Sequence, residues 1–157
     1  MSDAGPGRKS ILNYSTKVAA ERTIGEITKL LAQAKAQAIL TELEEGRVSA
    51  ISFRIVTEFG FLTFRLSARI EAVYRVLVQS REIPAKLRAH DQAARVARRI
   101  VKDWLEAQLA MVRAGLVDLE QVFLPYAQDA HGNTLYERMR SQGFSGLRLE
   151  DGPKPSA

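Results

Sequence analysis

Arg95, Arg98, Arg99 and Lys102 are separated by spacings of three, four and seven, so on a helix all four cations share one side. Lys86 and Arg88 lie just upstream, beside His90, and the stretch from Arg81 to Lys102 holds seven Lys or Arg against two acids. Positive charge in the opening turns of a helix opposes the helix dipole, which favours acids there by some tenths of a kcal/mol. Tolerating that cost suits a surface that meets phosphates, where each neutralised phosphate steepens the salt dependence of affinity. An acidic protein is a second class of partner for the same charges. The competing explanation is a solvated face made of good helix formers.

The other chemically capable residues have simpler readings. His90 and His131 are the two histidines, about forty positions apart, and Asp129-Ala-His-Gly132 is a turn composition before it is an oriented acid–base pair. No Gly-x-Ser-x-Gly elbow offers a nucleophile, and neither Gly-x-x-x-x-Gly-Lys-Ser/Thr nor Gly-x-Gly-x-x-Gly offers a phosphate loop. Glu42, Glu44 and Glu45 gather at a turn, where Arg47 offers a cross-strand partner, and a solvated tip explains them better than a cation does. Asp103 and Glu106 lie four positions from Arg99 and Lys102, as helical ion pairs do. The expectation is therefore no enzyme, no cofactor and no metal.

These side chains must be positioned by regular elements. Leu12 to Val18 alternates enough to predict a strand. From Ala20 to Lys35, Ile24, Ile27, Leu30, Leu31 and Ala34 recur at helical spacing. Ala38–Leu43 and Arg47–Val56 read as strands joined through Glu44-Glu45-Gly46, and Phe61–Ser67 as a third after the break Thr57-Glu58-Phe59-Gly60. A four-residue loop there sets Ile55 against Leu62, Phe53 against Phe64 and Ile51 against Leu66, which makes one side of the hairpin continuously apolar. The other side then carries Ser52, Arg54 and Val56 beside Phe61, Thr63 and Arg65. Phe61 is its one in-strand ring, so the likeness to the base-stacking strand of an RNA-recognition module is poor. Arg54 and Arg65 are weaker phosphate contacts, because a covering helix would remove them from use.

Helix resumes at about Arg69, with Ile70, Val73, Tyr74 and Leu77 on one face, and stops before Pro84. Asp91 to Ala114 is the longest periodic segment, ended by Gly115. Its apolar positions, from Ala93 and Val96 through Ile100, Trp104 and Leu105 to Met111, cover about half the circumference, a stripe wide enough for more than one partner. Asp118 is placed to cap a short helix through Phe123, and Thr134 another that includes Leu135, Tyr136 and Met139.

A chain of 157 residues with 46% hydrophobic and 26% charged residues is ordinary globular material. Folding at this length removes roughly 70% of the unfolded surface from water. The absence of cysteine excludes disulfides and thiolate chemistry. No run of about 18 apolar residues predicts a membrane span, and no signal-like segment follows the first residues, so a cytoplasmic protein is expected. The net charge of +5 and pI near 9.7 ease the approach to polyanions without specifying one. Residues 1–10 and 150–157 are expected to be flexible ends around one domain spanning 11–149.

Val48 to Ile55, Gln92 to Gln108, and Phe123-Leu-Pro-Tyr126 followed by Thr134-Leu-Tyr-Glu137 together resemble a group of small bacterial proteins associated with prophages and mobile elements. The resemblance covers most of residues 11–140. It implies no activity, cofactor or site residues, and favours DNA transactions as context. The expected fold is α+β, in the order βαβββα with an antiparallel meander packed on helices, then short C-terminal helices. The expected function is non-enzymatic binding of DNA or RNA, or an accessory role, through Lys86, Arg88, Arg95, Arg98, Arg99 and Lys102, with Arg54 and Arg65 in support. The alternative is an oligomeric scaffold or interaction module using the apolar surface of the long helix, and the third is a metal-dependent hydrolase or nuclease.

Overall fold

The structure is a computed structural model in which residues 10–149 are described. Apart from Ser10, the two expected flexible ends lie outside the described residues. The elements run α1 (Ala20–Gln33), β1 (Ala38–Glu44), β2 (Arg47–Thr57), β3 (Gly60–Ser67), α2 (Ile70–Gln79), α3 (His90–Arg113), α4 (Leu119–Phe123) and α5 (Leu135–Ser141). The three strands form one antiparallel sheet in the order β1-β2-β3. No helix among the described residues is long and apolar enough to cross a membrane.

The expected leading strand is absent. Residues 11–16 form turns instead, with Tyr14 N–H donating to Ile11 O and Thr16 N–H to Asn13 O, and Asn13 at φ +63°. These backbone groups are satisfied locally, so the segment has no need of a ladder. Its apolar side chains, Ile11 and Tyr14, pack on a small cluster of Leu77, Ile83 and Ala93 between α2 and α3.

The meander follows the expected register: Ile51 pairs with Leu66, Phe53 with Phe64, and Ile55 with Leu62. The connection is tighter than four residues, because Thr57 pairs with Gly60 and leaves Glu58-Phe59 as the turn. The extra pair extends the same register by one step, so every expected partner and the apolar face are unchanged. Gly60 takes φ +111°, in the region that glycine adopts most readily.

That apolar face is closed by Ile27 and Leu31 of α1, Leu105 of α3 and Phe123 of α4. Phe53, Phe64 and Phe123 form a three-ring cluster with centroids 5.4 to 5.7 Å apart, Phe53 and Phe123 meeting edge to face. Trp104 meets Phe123 edge-on at 5.8 Å and Tyr126 at 5.4 Å. The chain after α4 also covers part of the β3 edge, where Gln128 N–H donates to Thr63 O at 2.8 Å.

Helix ends match the expected chemistry in part. Gly115 at φ +73° ends α3, with its N–H on Val112 O and Leu116 N–H on Met111 O. Thr134 and Glu137 form a reciprocal capping box at the start of α5. Asp118 occupies the N-cap of α4, but its side chain makes no capping hydrogen bond. Because Phe123 is buried and touches the rings of Phe53 in β2 and Phe64 in β3, Phe123→Ala should destabilise the fold by about 3–5 kcal/mol in urea unfolding. Phe59→Ser, at a turn position 83% exposed, should leave the urea midpoint almost unchanged.

Candidate nucleic-acid interface

The expected cationic face of α3 does not stand open. α3 is flanked by α1 and α2 and also reaches the sheet core, so several of its cations point into packed surroundings. Arg98 is buried, and its Nη2 donates to Val48 O at 2.8 Å. Arg99 pairs with Glu26 of α1. Lys102, whose side chain is 14% exposed, pairs with Glu106 and approaches Asp103. Asp103 accepts instead from Asn13 Nδ2 at 2.8 Å, so the expected Arg99–Asp103 pair is replaced by Arg99–Glu26. Arg98, Arg99 and Lys102 thus join α3 to β2, to α1 and to its own next turn.

Arg88 is likewise engaged within the fold. Its Nε donates to Ile83 O at 2.9 Å and its Nη2 to Ser80 O and Arg81 O at 3.3 Å, collecting the carbonyls left free after α2. Arg65 is held by Glu42 at 2.7 Å across the sheet, and Arg47, the expected partner of the Glu cluster, reaches Asp91 at 2.6 Å. Arg54 is exposed, with its guanidinium 5.2 Å from the centroid of Phe61. Leu40, Val56 and Phe61 on that face of the sheet are exposed among the described residues.

Of the expected contacts, Arg54 stays open on the sheet, while Lys86 and Arg95 stand together elsewhere, and the structure joins to those two a third cation that sequence reasoning missed. Lys17, Lys86 and Arg95 line one open concavity of about 450 Å³ with Ser15, Thr16 and Gln92, and among the described residues no acidic side chain takes part in its wall. Pro84 starts the short 3-10 turn that presents Lys86, and the turns at 11–16 bring Lys17 alongside. Gln92 organises the site. Buried at the start of α3, it donates from Nε2 to Tyr14 O at 2.9 Å and Thr16 O at 3.0 Å, while its Oε1 accepts from Arg95 Nε at 3.0 Å. One amide thus docks the N-terminal turns and orients the arginine. The available signal was a glutamine among alanines in the first turn of a helix, a position with no apolar reason to be buried.

Elsewhere, Asp129 behaves as the turn residue it resembled, accepting from His131 N–H at 2.9 Å and Asn133 N–H at 3.0 Å. Among the described residues no three His, Asp or Glu gather in a way that could hold a metal ion.

The Arg99 guanidinium, hydrogen-bonded to Glu26, holds that carboxyl below the ordinary glutamate range. A depressed folded-state pKa contributes stability that is present above the unfolded value and lost as pH falls through the folded one. Acidification below about pH 4.5 should therefore weaken the α1–α3 contact, and Glu26→Gln should show a shallower loss of Tm over that range than the parent protein. Comparisons with protein-family models, with curated proteins and with solved structures return no match for this chain.

Proposed function

We propose that this is a non-enzymatic nucleic-acid-binding or accessory protein whose phosphate contacts are Lys17, Lys86 and Arg95. The observation that carries the reading is the acid-free concavity that these three cations line. Arg95 comes to it with its Nε held by Gln92, which leaves the outer guanidinium nitrogens directed by the protein rather than by solvent. Contacts of this kind position a phosphate backbone without reading sequence. The net charge of +5 and the resemblance to prophage and mobile-element proteins support the same reading.

A second reading, an oligomeric or interaction module, is favoured by a different surface from the one first expected. The long helix has its stripe largely covered, while the outer face of the sheet exposes Leu40, Val56 and Phe61, the last at 63%. Apolar side chains grouped on one exposed face mark contact surfaces more often than scattered ones do. Light scattering at rising protein concentration separates the two readings, since a constant monomer mass removes self-association.

Labelled single- and double-stranded DNA and RNA, titrated at two salt concentrations, test the first. The Lys17→Glu, Lys86→Glu, Arg95→Glu triple variant should bind at least about tenfold more weakly, and its salt slope should fall by roughly one for each contact removed. Arg113→Glu, at an exposed position distant in sequence from the concavity, should change affinity far less. Equal binding by the triple variant and the parent protein would remove the nucleic-acid reading.

A further inference from the structure

Arg98 is the least compensated charge in the described molecule. It is 4% exposed, one nitrogen is engaged by Val48 O, and its buried Nε has no hydrogen-bond partner. No acidic side chain forms an ion pair with it among the described residues. Burial pushes its pKa down, Glu21 opposes that shift from a distance, and Arg47 adds to it. A cation removed from water without a counter-charge is a costly arrangement, and a guanidinium presents a planar fork that matches an oxyanion.

Arg98 also lines a concavity of about 430 Å³ between the start of α1, the β1–β2 turn and the first turns of α3. Arg95 is in its wall, as are Ala19 and Ala20. Ala19 is the N-cap of the 14-residue α1 and has no side chain able to cap it. The first amides of α1 therefore bring the positive end of a helix to the concavity beside a buried arginine that has no carboxylate partner among the described residues. Of the remaining charged residues in the wall, Asp91 and Arg47 neutralise each other at 2.6 Å. Arg95 and Arg98 then stand against Glu21, an excess of one positive charge.

We propose that this concavity is a binding site for a small oxyanion, the carboxylate or phosphate group of a small molecule, seated between Arg98, Arg95 and the N-terminus of α1. The site does not depend on the nucleic-acid reading, in which Arg98 has no part. Arg98 acts as the buried counter-charge, Arg95 closes the outer side, and the wall's excess positive charge favours an anion.

The test measures thermal unfolding at constant ionic strength in sodium chloride, sodium acetate and sodium phosphate, for the parent protein and for Arg98→Met. Acetate or phosphate should raise the parent Tm above its value in chloride, by mass action on the folded state. Arg98→Met should fold and give no such specific rise, since replacing a buried charge with an apolar side chain of similar length is tolerated. Whichever anion acts identifies the group that the site takes. In parallel, the ¹⁵Nε–¹H resonance of Arg98 in the parent protein should shift on titration with the active anion, a readout that requires no variant. Identical parent Tm values in all three salts, an equal rise in Arg98→Met, or an unmoved Arg98 resonance would each overturn the proposal.

Discussion

α3 is enclosed along much of its length, and most of the arrangement follows from that constraint. Its early turns carry alanines where α2 and α1 approach, with Ala93, Ala94 and Ala97 all buried, and its middle places Leu105 in the sheet core. Small side chains allow neighbouring backbones to come close, and dispersion over many such contacts holds them there. A helix packed in this way cannot keep a cationic face for solvent. Its arginines must find carbonyls or carboxylates in neighbouring elements or remain uncompensated. Arg99 finds Glu26, Lys102 finds Glu106, and Arg98 finds one carbonyl but no carboxylate.

The meander was legible because a period-two pattern with one buried face leaves little freedom of register. Three apolar pairs across one hairpin agree on a single alignment, and the shorter turn kept it, since Thr57 and Gly60 only add one more pair to the same register. The cationic face of α3 was less legible because helical spacing says which residues share a side but not what faces that side. The partner of Arg99 lies 73 residues earlier in the chain, in α1. Leu12–Val18 misled for a related reason: alternation over a few residues is compatible with turns when the chain has another surface on which to place Ile11 and Tyr14. Lys17 then joined the candidate site through a fold-back that no local pattern announces.

The two concavities around Arg95 illustrate how little polar material separates a structural charge from an available one. On one side Gln92 fixes its Nε and leaves the rest of the guanidinium among cations and hydroxyls. On the other it stands beside Arg98, whose burial makes it part of the packed protein. Electrostatics of this kind depends on which neighbours are already engaged, so net charge alone is a poor guide to it.

The position of Phe123 has a kinetic corollary. The three strands follow one another directly, so their pairings are local and form quickly once a turn closes. Their apolar face nevertheless depends on a ring that lies 59 positions beyond Phe64, past two helices and a proline-led turn. On a ribosome the meander would emerge with α1 already available to cover part of that face and with the Phe123 side still open, so the slow step of assembly belongs to the last long-range closure rather than to the sheet itself.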